Sequence, residues 1–210
     1  MSNIIVFEGI SCAGKSTMIQ EVQNYYQNLG IECINLNELL SNKPFENIEF
    51  ELKEILTNKD IIYDNFEMFL LFAIRLCEKV RMIKCLHFPE NSMLLVDRFE
   101  LSLLLKGIYI HKLDKTMVET IVNYIIKDCR PVGYIYLEID YKNFIIREGD
   151  KRNSKVWNVI HERFLSETNG FTEIINSYKE NNKILVLNTS ETTKENALNK
   201  IVKFLNSLSL

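Results

Sequence analysis

Apolar residues in this chain follow two spacings. Short unbroken runs rich in Ile, Val, Leu and Phe occupy 3–8, 31–36, 93–96, 132–139 and 183–187. A run without polar alternation predicts a strand covered on both faces, as in a parallel sheet. Between these runs lie longer stretches, 15–29, 65–88, 114–129, 155–180 and 191–208, in which apolar positions recur at three and four, the period of a helix with one buried face. Gly30 reads as the stop of the first helix, and Leu113-Asp114 ahead of Met117 as a capped start of another. Strand alternating with helix implies right-handed crossovers, and hence a three-layer α/β/α domain around a five-stranded parallel sheet. No repeat, low-complexity tract or Pro- or Gly-rich linker divides residues 1–210, so a single domain is expected. The polar stretches 37–48 and 148–155 interrupt the period and read as mobile loops.

Composition narrows the partners. With 47% hydrophobic and 25% charged residues the chain can build a packed interior under an ordinary wetted surface. A formal net charge of −3 and a pI near 5.7 lack the basic excess that holds a polynucleotide by its phosphates, so no nucleic-acid polymer is expected as partner. No apolar run approaches the roughly 18 residues needed to cross a bilayer, and Met1-Ser2-Asn3 leads into a strand rather than a charged leader. A cytoplasmic protein without a membrane partner is the expectation. Cys12, Cys33, Cys77, Cys85 and Cys129 form no C-x-x-C pair and read as reduced thiols, while His87, His111 and His161 are too isolated to suggest a metal site.

The strongest chemical signal is Gly9-Ile10-Ser11-Cys12-Ala13-Gly14-Lys15-Ser16, which fits G-x-x-x-x-G-K-[ST] between the first strand and the first helix. Glycines let such a loop turn tightly, so that successive N–H groups and the positive helix end face a phosphate. Gly9, Ser11, Cys12, Ala13, Gly14, Lys15, Ser16 and Thr17 are therefore the expected ATP-binding positions. In that pattern Lys15 reaches the β/γ oxygens and the Ser16 hydroxyl ligates Mg²⁺. Cys12, close to a helix N-terminus and to Lys15, is either an activated thiol or a passive small residue of the loop.

A second signal is Met93-Leu94-Leu95-Val96-Asp97-Arg98-Phe99, which puts a carboxylate at the carboxyl end of a buried strand, the edge of an α/β sheet where ligands collect. Asp97 is a candidate second Mg²⁺ ligand, and Arg98 a candidate phosphate clamp. The segment 147–155, basic and glycine-containing, reads as a lid able to close over phosphates.

These motifs resemble those of thymidylate kinases. Phe7-Glu8-Gly9 through Thr17 is similar to the family's F-E-G-x-D-x-x-G-K-S-T, Asp97-Arg98-Phe99 with Ser102 to its D-R-[YFH]-x-x-S, 70–75 to its helix bearing a base-reading arginine, and 131–140 to its P-D-L-x-x-x-L-x-V strand. The resemblance implies a P-loop kinase fold, ATP with Mg²⁺, a nucleoside monophosphate acceptor and a homodimer. It implies that Lys15, Arg98, Arg147 and Arg152 neutralise the transferred phosphoryl group, the last two from the lid. On the acceptor side it implicates Ser11, Glu38, Phe72, Arg75, Asp97 and Arg98, with Arg75 on the base, and it sets Asn188-Thr189-Ser190 beside the adenine.

The chain departs from the family at the acceptor side. Ser11 stands where an Asp is usual, Phe72 lies three rather than four residues before Arg75, Asn37-Glu38-Leu39 replaces R-E-P, and no arginine precedes Arg75. Two alternatives follow. One is a deoxynucleoside kinase in which Glu38 takes the proton of a 5′-hydroxyl. Asp97-Arg98-Phe99 speaks against it, because the deoxynucleoside kinases carry E-R-S there. The other is a nucleotide-dependent switch, although the guanine-reading N-K-x-D is absent from the sequence.

Overall fold

Ile4, Ile5, Val6 and Phe7 are all buried, so strand β1 (Asn3–Glu8) has apolar neighbours on both faces. In the computed structural model, which describes residues 3–41, 62–85, 92–149 and 157–208 together with Ile55, β1 lies at the centre of a five-stranded sheet. In chain order the elements are β1, α1 (Lys15–Asn28), β2 (Cys33–Asn35), α2 (Leu36–Ser41), α3 (Asn65–Cys85), β3 (Met93–Asp97), α4 (Glu100–Leu104) and a π-helical segment (Leu105–Ile110). After these come α5 (Lys115–Ile126), β4 (Gly133–Glu138), α6 (Tyr141–Gly149), α7 (Trp157–Tyr178), β5 (Ile184–Asn188) and α8 (Lys194–Asn206).

The strand order is β2-β3-β1-β4-β5, with every neighbouring pair parallel. Val6 aligns with Val96 on one side and Tyr134 on the other. Because the order runs out from β1 in both directions, the loop after β1 sits at the switch point where α/β sheets bind ligands. The carboxyl ends of β1, β3, β4 and β5 deliver Gly9, Asp97, Glu138 and Asn188 to that one edge.

Local chemistry sets the helix ends. Along α1 the buried positions Met18, Ile19, Val22 and Tyr26 follow the three-and-four spacing, and Gly30, at φ 74°, stops the helix with its N–H on the Gln27 carbonyl at 3.0 Å. Asp64 and Glu67 cap α3 reciprocally, each side chain accepting the other's backbone N–H at 2.8 Å. Asp114 caps α5 by accepting the Met117 N–H at 2.8 Å, as the sequence suggests.

All five predicted strands and five predicted helices are present, with ends shifted by a few residues where they are described. The structure corrects the loop assignments. Residues 37–41 of the expected loop 37–48 belong to α2, and Glu148 and Gly149 of the expected loop 148–155 close α6. Residues 42–48 and 150–155, including Arg152, lie outside the described residues. No helix among the described residues is long and apolar enough to cross a membrane.

Candidate active site

The phosphate loop demands glycine at two positions, one for space and one for backbone conformation. A Cβ on Gly9, at φ 140°, would stand 2.4 Å from the Leu137 carbonyl oxygen, and Gly14, at φ 92°, opens α1 in a left-handed conformation. Cys12, at φ 62°, shares that backbone region without being a glycine. Lys15 is buried, and its ammonium donates to the carbonyls of Gly9 (3.0 Å) and Ile10 (2.8 Å). Burial, with Arg98 adding to it, pushes the Lys15 ammonium down to about 8 against the pull of Asp97 and Glu8. Beside the loop a cavity of about 470 Å³ is lined by Cys12, Gly14, Lys15, Ser16, Thr17, Thr189 and Lys194.

Arg147, from α6, forms one wall of this cavity. Its guanidinium donates to the Cys12 carbonyl (3.1 Å), the Thr189 hydroxyl (3.2 Å) and the Thr189 carbonyl (3.1 Å), joining the phosphate loop to the end of β5. The next residue, Glu148, accepts from the Cys12 thiol at 3.0 Å. Thr189 thus faces the cavity, which Asn188 and Ser190 do not line among the described residues.

The turn after β3 is fixed by a carboxylate to which the sequence patterns assign no task. Glu8, fully buried, accepts from the N–H groups of Phe99 (2.8 Å) and Ser102 (3.2 Å) and from the Ser102 hydroxyl (2.5 Å). Burial pushes its carboxyl above the usual range, against these hydrogen bonds. The signal for it was a carboxylate inside a strand buried on both faces, which must find donors. Arg98 lies at φ 60° with its N–H on the Phe7 carbonyl (2.9 Å) and its guanidinium on the Ser102 hydroxyl (3.3 Å).

One carboxylate oxygen of Asp97, Oδ1, is buried without a hydrogen-bond partner among the described residues. An orphaned oxygen here, with the Ser16 hydroxyl at the phosphate loop, suits Mg²⁺, which takes one or two protein oxygens and fills its octahedron with phosphate and water. No cluster of three or more His, Cys, Asp or Glu able to hold a metal occurs among the described residues.

A second cavity, of about 340 Å³, opens between α3, α4, the π-helical segment and α7. It brings together three of the expected acceptor residues, Phe72, Arg75 and Arg98, with Lys79, Lys106, Arg163 and Glu167, which the sequence patterns did not single out. The described lining thus carries five cationic side chains (Arg75, Lys79, Arg98, Lys106, Arg163) against one carboxylate. Lys106 (3.3 Å) and Arg163 (3.0 Å) both hold Glu167 by Oε1, and Lys106 lies 5.7 Å from the centre of the Phe72 ring. Burial pushes the Glu167 carboxyl up, but the two cations outweigh it and leave it below the usual range.

Three expected acceptor residues stand apart from this cavity. Asp97 and Ser11 do not line it, and Glu38 on α2 accepts from the Gln23 amide at 3.3 Å.

Comparison with known proteins agrees with this geometry. Residues 7–201 match the sequence profile of the family described as thymidylate kinase. The chain is 28% identical over 198 residues to a thymidylate kinase of Chlorobium phaeobacteroides, covering 90% of this chain and 88% of the relative. It is 29% identical over 144 residues to one of Legionella pneumophila, covering 69% and 67%. In three dimensions it is similar to the thymidylate kinase of Candida albicans, with a TM-score of 0.68 at 17% identity over 98% of this chain and 92% of that one.

Proposed function

Because this chain belongs to the thymidylate kinase family, we propose that it transfers the terminal phosphoryl group of ATP to a nucleoside monophosphate, with thymidine 5′-monophosphate (dTMP) as acceptor. The observation that carries the monophosphate reading is the excess of cations around the second cavity, five against one carboxylate. A monophosphate brings about two negative charges close to those of ATP, and their mutual repulsion has to be offset. No arginine lies between β2 and Arg75; Lys79, Lys106 and Arg163 supply cationic charge from other elements.

In this reading the first cavity takes ATP. The N–H groups of the phosphate loop cradle its phosphates, and Lys15 leaves the carbonyls of Gly9 and Ile10 for the β/γ oxygens. Ser16 and Asp97 would hold Mg²⁺, which when bound would supply neutralisation of charge on the phosphates. Arg147 supports the loop from α6; Arg152, the other arginine that the resemblance implicates, lies outside the described residues. In the second cavity Phe72 packs on the acceptor base, Arg75 donates to its edge, and Arg98 holds the acceptor phosphate. No covalent intermediate with the enzyme is needed.

Glu38 engaged by Gln23, away from the acceptor cavity, gives no support to a nucleoside kinase using it as base. The non-catalytic alternative is likewise without support. Exposed Phe66, Leu70 and Ile74 along α3 favour a homodimer, and a cytosolic location belongs to the same proposal. A steady-state assay with ATP·Mg²⁺ across nucleosides and nucleoside monophosphates tests the reading: dTMP should be turned over and thymidine not. Turnover of thymidine alone would reverse it. Glu38→Gln should leave dTMP turnover within about twofold of wild type, since surface polar changes remote from the chemistry are usually mild.

A further inference from the structure

Lys79 lies on α3, one helical turn beyond Arg75, and no motif in the sequence marks it. Its ammonium donates to the carbonyl oxygens of Asp97 at 2.6 Å and Arg98 at 2.7 Å. These consecutive carbonyls belong to the turn in which Arg98 takes φ 60°, a conformation that costs a residue with a Cβ and persists only where its surroundings hold it. The other side of the turn is already fixed, by Phe7 accepting from the Arg98 N–H and by Glu8 accepting from Phe99 and Ser102. A cation facing two converging carbonyls satisfies both at once, which a neutral aliphatic side chain cannot do.

We propose that Lys79 is a positioning residue for phosphoryl transfer. By clasping the carbonyls of Asp97 and Arg98, it aims the Arg98 guanidinium into the acceptor cavity and keeps the Asp97 carboxylate at the sheet edge. This rests on the kinase reading above. The lysine acts through its neighbours rather than on the reacting atoms, and its own presence in the cavity wall adds positive potential where an acceptor phosphate would lie. The consequence is local: acceptor binding and turnover depend on Lys79, whereas binding of a nucleotide without Mg²⁺ in the first cavity, which Lys79 does not line, does not.

The test compares wild type with Lys79→Met, Lys79→Arg and, as a control for loss of charge on the same helix, Lys84→Met, whose exposed ammonium pairs with Asp128. Calorimetry measures dTMP and ADP binding without Mg²⁺, steady-state kinetics give kcat and KM, and thermal melts report folding. Lys79→Met should weaken dTMP binding and lower kcat by about tenfold or more each, the scale on which small misplacements act. ADP affinity and melting temperature should stay close to wild type. Lys79→Arg should recover most of the loss, and Lys84→Met should behave as wild type.

Two results overturn the proposal while the kinase reading stands. One is a Lys79→Met protein matching wild type in dTMP affinity and kcat. The other is an equal loss of dTMP and ADP affinity with a lowered melting temperature and no rescue by arginine, which marks a stability clasp. Wild type turning over no monophosphate overturns the kinase reading and takes this proposal with it.

Discussion

Lys15 combines two properties that pull apart: it is buried, and in the proposed function its charge serves a ligand. Its ammonium rests on two loop carbonyls and is pushed down to about 8, chiefly by burial. Phosphates beside it would favour the charged form, so nucleotide binding should take up as much as about half a proton at pH 8, where such a lysine is half ionised. Calorimetry of ADP binding in buffers of different ionisation enthalpy measures this; an enthalpy independent of buffer would contradict it. Lys15→Ala should lose the uptake and about a hundredfold or more of kcat, while its unfolding midpoint changes little, because the folded state no longer buries that charge. Retention of more than about a tenth of the turnover would defeat the assignment. At this scale the phosphate loop was legible because its backbone demands glycine at Gly9 and Gly14. Glu8, Lys79, Lys106 and Glu167 carried no such pattern: their meaning comes from pairings across 61 to 94 positions of chain, except Lys79 at 18 and 19. Glu38 and Ser11 meet the same limit, since position in a motif does not fix which cavity a side chain lines.

Among the elements, those with a clear period were legible and the short ones were not. In α4, the residues Glu100, Leu101, Leu103 and Leu104 are all buried, so no polar face announces a helix, and the π-helical segment continues it without a break. The first turn of α4 also hides a carboxyl. Glu100 accepts from the Tyr134 hydroxyl on β4, its other oxygen has no partner among the described residues, and burial pushes its carboxyl up to about 8. An acid whose folded pKa exceeds its unfolded one holds its proton in the fold while the unfolded chain ionises. Stability contributed by this group is therefore fully present below about pH 4.5 and is lost progressively up to about pH 8, at no more than about 1.4 kcal/mol per pH unit. Above pH 8 its contribution is flat. Glu8 is shifted in the same direction and adds to the slope. Urea unfolding midpoints between pH 5 and pH 8 should fall for wild type and fall less for Glu100→Gln, which keeps an acceptor for Tyr134. Equal slopes in the two proteins would show that Glu100 is already ionised in the fold.

At the scale of the whole molecule, helix α3 has three faces with separate tasks. Phe69, Ala73, Leu76 and Val80 pack into the core, while Phe72, Arg75 and Lys79 face the second cavity. Phe66, Leu70 and Ile74, four residues apart and 41%, 38% and 44% exposed, run along the side away from the cavity. A helix of 21 residues spans roughly 30 Å, long enough for its outer face to anchor an interface of about 800 Å² per partner when neighbouring elements join it. An apolar stripe of that length is poorly matched to water, and a second copy of the same helix would cover it with a self-complementary surface. Sedimentation at micromolar concentration should therefore show a species of about twice 24.7 kDa. Leu70→Glu places a charge in the middle of the stripe and should shift the protein to the monomer, because an unpaired charge in a dry interface is costly. The substitution leaves the cavity-lining face of α3 intact, so the monomer should still bind dTMP. A wild-type protein that sediments only at 24.7 kDa would leave the stripe without its partner and reject the dimer.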